Sequence, residues 1–198
     1  MSKTTNINNR RYLGNKYKLL PFIKATVDAE CKSVESVFDI FAGTGAVSSA
    51  FQDKKLITND IMYSNYICNY AWFSAEEYDE KKVAKLIDNY NSVEIHEKNY
   101  MTDNFSDTYF SALDCSKIGY IRQNIEDLFS ENKINGRERA ILITSLLYGM
   151  DKIAKTCGHY DAYRKGVEFD THLELAIPLA RIIKYLIFSL LKLLIPTR

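Results

Sequence analysis

The pattern of hydrophobic and polar positions divides the first part of the chain into short strands and the helices that follow them. Residues 37–41 read Val-Phe-Asp-Ile-Phe and favour an extended strand, because β-branched and aromatic side chains suit a pleated surface. Residues 46–51 contain no helix breaker and favour a helix. The short apolar run 56–58 predicts a second strand, and the aromatic-rich segment 61–73 predicts a helix that packs on the sheet. This order predicts an α/β fold.

Farther along the chain the apolar positions recur at helical spacing. A helix is predicted over residues 82–90, whereas residues 91–114 keep no period and predict loops with short elements. Apolar residues from Ile118 to Phe129 predict a helix that ends between Asn132 and Gly136. A second helix then begins at Arg137, and the two form a helical hairpin. Its cleanest apolar stripe consists of Ala140, Ile143, Leu147, Met150 and Ala154.

The two ends of the chain differ from the rest in composition. Residues 1–9 are polar and predict a loose arm. The tail 181–195 is apolar except for two lysines and one arginine, which leaves it short of the roughly twenty apolar residues of a membrane span. As a helix this tail would be apolar nearly all round. We therefore expect no membrane anchor, and we interpret the tail as out-of-frame or truncated coding sequence that makes the protein prone to aggregation.

Composition narrows the class of protein. Hydrophobic content of 46% and charged content of 26% are typical of a folded globular chain, and 198 residues suffice for one substantial core and a small appended domain. A net charge of +1 means that any contact with nucleic acid must come from local clusters of Lys and Arg. The four cysteines are widely separated and favour buried thiols in a reducing, cytoplasmic setting, with no metal site.

The glycine turn at residues 41–45, Phe-Ala-Gly-Thr-Gly, joins the first predicted strand to its helix and predicts a ligand site at the strand's carboxyl end. Its two glycines permit positive φ and close approach of a ligand to the backbone. Asp60 closes the second strand about fifteen residues later, where dinucleotide-binding chains place a ribose-binding carboxylate. Ser48 stands where those chains have a third Gly or Ala, which disfavours NAD and FAD. S-adenosylmethionine has no pyrophosphate and fits the shorter pattern, although an ordinary glycine turn remains an alternative.

Three motifs together carry a family resemblance. They are Tyr12-Leu13-Gly14-Asn15-Lys16, the segment 39–45 and Asn59-Asp60-Ile61. In order and spacing they resemble the Dam-like N6-adenine DNA methyltransferases. The resemblance implies a Rossmann-like domain that binds S-adenosylmethionine. The residues that it assigns to the cofactor are Tyr12, Lys16, Asp39, Phe41, Gly43, Gly45 and Asp60. Taken singly, Tyr12 could also be a partly buried rim aromatic and Lys16 a solvated charge.

A cationic helical region follows the cofactor motifs, in the place where the resembling family has its target-recognition region. Lysines and arginines outnumber acidic residues there, which suits DNA phosphates, although a solvated helix face is the alternative. The predicted DNA-binding residues are Arg137, Arg139, Lys152, Lys155, His159, Tyr160, Arg164 and Lys165. His159 and Asp161 lack a third ligand nearby and are interpreted as part of a DNA-facing or packing loop.

The catalytic motif of the resembling family is missing from these residues. That family uses Asp-Pro-Pro-Tyr to hold the adenine amino group, whereas this chain has prolines only at positions 21, 178 and 196. We therefore expect residues 1–103 to form a partial cofactor domain, 104–175 an inserted helical recognition region and 176–198 the apolar tail. The predicted function is adenine-specific DNA methylation in a restriction-modification system, with double-stranded DNA as partner.

Other functions remain open from the sequence alone. The chain could be an inactive fragment that binds cofactor and DNA, or one half of a split enzyme whose second polypeptide carries the catalytic motif. It could also be a small-molecule methyltransferase or a nucleotide-dependent oxidoreductase. Either function would use the glycine turn to bind a ligand and would not involve DNA. Duplex binding with a steep salt dependence would separate the DNA-binding readings from these last two.

Overall fold

The computed structural model describes residues 3–10, 14, 16–156, 160, 162–179 and 186–188, the last three by their backbone alone. Its strands are β1 (Thr4–Thr5), β2 (Ser36–Asp39), β3 (Lys55–Thr58), β4 (Ile177–Pro178) and β5 (Leu186–Phe188). Its helices are α1 (Leu20–Glu30), α2 (Ala46–Ser49), α3 (Tyr63–Phe73), α4 (Glu80–Ser92), α5 (Tyr100–Phe105), α6 (Ala112–Ser130) and α7 (Gly136–Ile153), with short 3-10 turns at Ile7–Asn9 and Tyr17–Leu19. The predicted α/β class is confirmed.

A parallel sheet in the order β2-β3-β5 carries the glycine turn. Ser36 pairs with Lys55 and Asp39 with Thr58, so β2 and β3 end at the same edge. Because the carboxyl ends of parallel strands meet at one edge, the segments 40–45 and 59–60 converge there. Both predicted strands are confirmed, although β2 ends two residues before Phe41 and α2 has only four residues.

The predicted loose arm is wrong for residues 3–9. β1 runs parallel to β4, with Thr4 opposite Ile177 and Thr5 opposite Pro178, and Thr5 is buried. The Tyr148 hydroxyl on α7 also donates a hydrogen bond to the Ile7 carbonyl at 2.9 Å. A polar stretch gives no periodic signal for such docking, because its main chain makes these contacts.

The predicted helical hairpin is confirmed as α6 and α7, but α7 is buried on nearly every side. A capping box starts α7, in which Asn135 and Glu138 bond each other's backbone amides. Positions of α7 outside the predicted apolar stripe are also enclosed: Ser145 donates to the Ala176 carbonyl at 2.8 Å, and a Cβ on Gly149 would lie 3.0 Å from the Glu174 carbonyl oxygen. The predicted stripe is therefore too narrow a description of the core face.

One hydrophobic core extends across the predicted domain boundary at 103/104. It is made by buried residues of α3, α4, α6 and α7, such as Ile67, Ile87, Ile121 and Ile141. These residues do not form one core for a cofactor part and another for a recognition part. The division between the two parts therefore stays a prediction.

The apolar tail contributes a strand to the parallel sheet. Residues 186–188 pair with β3, Leu56 opposite Leu186 and Thr58 opposite Phe188, so this part of the tail is extended and not helical. The remaining positions of the tail after 179 lie outside the described residues. Within the described part of the chain, no helix has the length and apolarity needed to cross a membrane.

Candidate functional site

The glycine turn is clamped to the end of β3 by main-chain and amide hydrogen bonds. The Ala42 amide donates to the Asn59 carbonyl at 3.0 Å, and the Asn59 side chain donates to the Ile40 carbonyl at 2.9 Å. Gly43 and Gly45 have φ values of 54° and 80°, in the left-handed region that favours glycine. The turn is thus a defined structure that presents its backbone at the sheet edge.

Asp60 is held directly against this turn. One carboxylate oxygen, Oδ2, accepts a hydrogen bond from the Gly43 amide at 2.8 Å. The other, Oδ1, accepts from the Met62 amide at 2.9 Å and from the Asn65 side chain at 3.1 Å. A carboxylate offers about four acceptor positions. Three donors therefore fix its orientation and leave one position for the hydroxyl of a ligand.

Gly14 and Lys16 approach the same turn from the amino-terminal segment. They line a small cleft together with the backbone and small side chains of 42–44 and with Ala46 and Val47. Lys16 thus lines the cleft with Gly43, and Asp60 is bonded to the Gly43 amide. Tyr12, the remaining predicted contact of this segment, lies outside the described residues. Phe41 is 77% exposed beside the turn, so its ring is accessible to a ligand.

Gly45 and Asp39 each have a structural role beside the turn, and their predicted contact with the cofactor stays a prediction. A Cβ at Gly45 would lie 2.4 Å from Asn69 Oδ1 and 2.8 Å from the Phe73 ring. The absence of a side chain at Gly45 therefore allows helix α3 to pack against the turn. Asp39 accepts hydrogen bonds from the Ser48 amide at 3.2 Å and the Ser48 hydroxyl at 2.7 Å, which ties β2 to α2. Ser48 therefore takes a bonding role at the position where dinucleotide-binding chains place a third small residue.

The start of α7 is not a DNA-facing surface. Arg137 is fully buried, donates to the Glu76 carbonyl at 2.6 Å and lies over the Tyr78 ring, so the prediction that it binds DNA is wrong. Burial lowers the pKa of its guanidinium. A sequence pattern cannot separate this arginine from an exposed one, because its partners lie about sixty positions away in the chain.

Arg139 is occupied by protein partners. Its guanidinium bonds both oxygens of Glu126 at 3.0 and 3.1 Å and donates to the Tyr63 hydroxyl at 3.1 Å. Burial opposes its charge, yet the hydrogen bonds to Glu126 and Tyr63 outweigh burial and raise the pKa of Arg139. Its side chain is only 13% exposed. A structural ion pair is therefore the better description of this predicted DNA contact.

The end of α7 and the segment after it retain the predicted cationic surface. Lys152, Arg164 and Lys165 are exposed, as is Tyr160. Lys155 is partly neutralised by Asp170, whose carboxylate lies 2.8 Å from the lysine nitrogen. An 18-residue helix is about 27 Å long, so this surface is well separated from Arg137. His159 lies outside the described residues.

A buried polar network behind Asp60 was missed from the sequence. Asn65, which is 0% exposed, links Asp60 to Arg10, and Arg10 lies 3.7 Å from Asp151 near the end of α7. A polar residue within the aromatic-rich helix α3 was the available signal.

Other features of the described residues do not adjoin this site. A cavity of about 620 Å³ lies among α5, α6 and α7 and shares no residue with the cleft. In the described part of the chain no three His, Cys, Asp or Glu side chains are grouped to hold a metal ion. The convergence of Lys16, Gly43 and Asp60 is therefore the best defined polar site.

Curated relatives of this chain are named as modification methylases and type II methyltransferases. The chain is 29% identical over 170 residues to "Modification methylase LlaI" of Lactococcus lactis subsp. lactis, which covers 78% of this chain and 27% of the relative. It is 30% identical over 172 residues to "Type II methyltransferase M.FokI" of Planomicrobium okeanokoites, covering 78% and 26%. For "Type II methyltransferase M.NlaIII" of Neisseria lactamica the identity is 29%, covering 79% and 50%. The chain thus spans between a quarter and a half of these relatives.

No solved structure matches the chain significantly. The sequence does match a family described as "D12 class N6 adenine-specific DNA methyltransferase", over residues 12–187. This range includes all three motifs, the helical hairpin and the tail as far as Ile187. The chain therefore belongs to the D12 class of N6 adenine-specific DNA methyltransferases.

Proposed function

We propose that this chain forms the S-adenosylmethionine-binding and DNA-recognition part of an adenine N6 DNA methyltransferase of a restriction-modification system. In this proposal a Rossmann-like cofactor part carries an inserted helical recognition region. The observation that carries it is the hydrogen bond between Asp60 and the Gly43 amide beside Lys16. The family membership and the type II methyltransferase names of the relatives support the same reaction.

The residues at the turn fit S-adenosylmethionine by the chemistry of their donors and acceptors. Asp60 retains one acceptor position for a ribose hydroxyl. Lys16 supplies a cation for the ligand's carboxylate, and the exposed Phe41 ring can pack on its adenine or lie near its sulfonium. When bound, this cofactor supplies an electrophilic methyl group.

The chemistry of methyl transfer also requires groups that these residues do not supply. The lone pair of an adenine amino nitrogen is delocalised into the ring, so it attacks a methyl group well only when acceptors hold its hydrogens. The family motif Asp-Pro-Pro-Tyr would provide such acceptors, but the sequence contains no two consecutive prolines. We assign these acceptors to a segment outside these 198 residues that joins the sheet.

The open edge of β2 is where such a segment would add. Among the described residues β2 pairs only with β3, so its other edge offers unpaired main-chain groups. Phe38 on β2 is 50% exposed and Phe22 on α1 is 71% exposed, and α1 has no buried residue. Apolar side chains on a parallel sheet and its helix are normally covered on both faces. A strand that pairs with β2 would cover them and place its own carboxyl end next to the glycine turn.

Duplex DNA would contact the surface formed by Lys152, Arg164 and Lys165. These cations are exposed at the end of α7 and beyond it, whereas Arg137 and Arg139 are held by protein groups. Exposed cations bind phosphates without sequence preference and release counterions. Tyr160, also exposed, adds an aromatic ring to the same segment.

A methyl-transfer assay with the chain alone and with an added polypeptide tests the proposed function. The added polypeptide contains a strand followed by Asp-Pro-Pro-Tyr, and the substrate is adenine-containing duplex DNA with radiolabelled S-adenosylmethionine. We expect transfer only in the mixture, and we expect Phe38→Asp to abolish it because the added segment would have to bury an unpaired charge on the face of the sheet. Transfer by the chain alone would place the acceptors among these 198 residues and contradict the proposed division.

A catalytically inactive module that binds cofactor and DNA is the second candidate. The missing Asp-Pro-Pro-Tyr sequence favours it specifically. Duplex binding with a steep salt dependence, together with no transfer in the mixture, would establish this alternative.

A further inference from the structure

We infer that Asn65 is a positioning residue for the ligand site, because it holds Asp60 in its binding orientation without neutralising it. The inference rests on the proposed binding of S-adenosylmethionine at Asp60. Asn65 lies in the first turn of α3 and is 0% exposed, so no ligand reaches it directly. Its effect must therefore pass through the groups that it bonds.

The two ends of the Asn65 amide face groups of opposite charge. Its nitrogen donates to Asp60 Oδ1 at 3.1 Å, and its oxygen accepts from the Arg10 guanidinium at 3.1 Å. A carboxylate only accepts and a guanidinium only donates, so the partners fix which way the amide points. A flipped amide would place its oxygen against the carboxylate and its NH₂ against the guanidinium.

Arg10 is itself anchored on the far side. Its side chain is 10% exposed, its Nε lies 3.7 Å from Asp151 Oδ2, and its Nη1 lies 3.5 Å from the Cys68 sulfur. Asp151 belongs to the last turn of α7. A buried guanidinium that is paired in this way has little freedom to move. The Asn65 oxygen is therefore held at a fixed point relative to α7.

The neutral amide between Arg10 and Asp60 has a chemical consequence. A guanidinium bonded directly to Asp60 would occupy its remaining acceptor position and offset its charge. Asn65 instead accepts one hydrogen bond from Arg10 and donates one to Asp60, so no cation contacts the carboxylate through this bond. The carboxylate keeps an acceptor position for a ribose hydroxyl. The arrangement thus makes Asp60 both rigid and available to the ligand.

Two variants separate positioning from general structural damage. Asn65→Asp keeps the acceptor for Arg10 but sets a second carboxyl against Asp60, and two adjacent carboxylates bind a shared proton more readily than either does alone. Besides Asp60, the titratable and charged groups near position 65 include, among the residues that the structure describes, Arg10, Cys68 and Asp151. Asn65→Leu removes both hydrogen bonds at every pH.

The test is calorimetric titration of each folded variant with S-adenosylmethionine at pH 8 and pH 5.5, beside the wild-type protein at both values. For Asn65→Asp we expect affinity at least tenfold below wild type at pH 8, with most of the loss recovered at pH 5.5 because a shared proton restores the donor. Asn65→Leu should lose affinity at both pH values. The control is Asn91→Leu, since Asn91 also donates and accepts across elements, with Leu175, but far from the cleft in the chain.

The outcomes distinguish this inference from the proposed function. If the wild-type protein does not bind S-adenosylmethionine, that result would contradict the proposed function itself. Wild-type binding that Asp60→Ala weakens, together with unchanged affinity in Asn65→Asp, would overturn the inference alone. An equal loss for Asn65→Asp at both pH values would also overturn it, because packing damage does not depend on a shared proton. If Asn65→Leu fails to fold, the pH response of Asn65→Asp still decides the matter.

Discussion

Replacing Gly45 by alanine tests how the ligand turn is built. Two costs are expected in the folded state. The residue has a φ of 80°, and a side chain in the left-handed region costs about 1–2 kcal/mol. The added Cβ would also lie 2.4 Å from Asn69 Oδ1 and 2.8 Å from the Phe73 ring, and such overpacking in a core typically costs about 1–3 kcal/mol. The free energy of unfolding should therefore fall by about 2–5 kcal/mol.

Urea unfolding followed by circular dichroism measures this loss, and Gly166→Ala provides a matched control. Gly166 has a φ of 69°, but nothing lies within 4 Å of its Cβ position, so only the cost of backbone strain applies. The difference between the two variants isolates the contact with α3. In an Asn69→Ala background the Gly45→Ala change should cost less, because the nearest clashing atom is gone. Equal losses of unfolding free energy at Gly45 and Gly166 would refute the packing role of Gly45. The glycine would then be explained by access of a ligand to the backbone.

Three further outcomes follow from the charged groups. Changing both Arg164 and Lys165 to alanine should reduce the slope of log affinity for duplex DNA against log salt by about 2, at about 0.9 for each lost phosphate contact, as measured by fluorescence anisotropy. Arg137→Met should leave that slope unchanged and lower the free energy of unfolding by about 1–3 kcal/mol, because the Glu76 carbonyl loses its donor. A changed slope would contradict the burial of Arg137. Glu138→Gln should cost about 1.5–3 kcal/mol in urea unfolding at pH 7 through the bond to Lys82, and a cost that persists well below pH 4 would contradict this account.

The sign of the Glu138 effect follows from its surroundings. Burial by itself would raise the pKa of Glu138, but the Lys82 ammonium and the backbone amides of Asp79 and Asn135 outweigh burial and hold the pKa below the ordinary value of 4.5. A carboxyl whose pKa is depressed in the folded state stabilises the fold above its unfolded pKa. This contribution is lost as the pH falls through the folded pKa, so the difference between wild type and Glu138→Gln should shrink under acid conditions.

Local patterns in the sequence were sufficient to predict the sheet edge and its turn. The β-branched run before Phe41, the two glycines and the carboxylate at Asp60 act within single elements, and parallel pairing then brings them together. Three motifs in the right order also identified the family. The packing role of Gly45 could not be predicted, because the atom that a Cβ would meet belongs to Asn69, 24 positions away in the chain.

Charge was the least predictable property. Arg137 and Lys152 look alike as cations in one helix, yet one is buried and the other exposed. The difference depends on how α7 is enclosed by distant segments, including β4 and the amino-terminal residues that the sequence indicated as loose. Whether a charged side chain is buried depends on its tertiary partners, and these cannot be inferred from the periodicity of α7.

The central claim is that S-adenosylmethionine binds at the junction of the glycine turn and Asp60, and calorimetric titration tests it most directly. Wild-type protein should bind the cofactor at a single site, and Asp60→Ala should weaken binding by about 10- to 100-fold, which corresponds to losing hydrogen bonds to a charged acceptor worth about 1.5–3 kcal/mol. The control Asp53→Ala removes an exposed carboxylate paired with Lys54 and should bind as wild type does. Equal affinity of wild type and Asp60→Ala, with both proteins folded, would contradict the account.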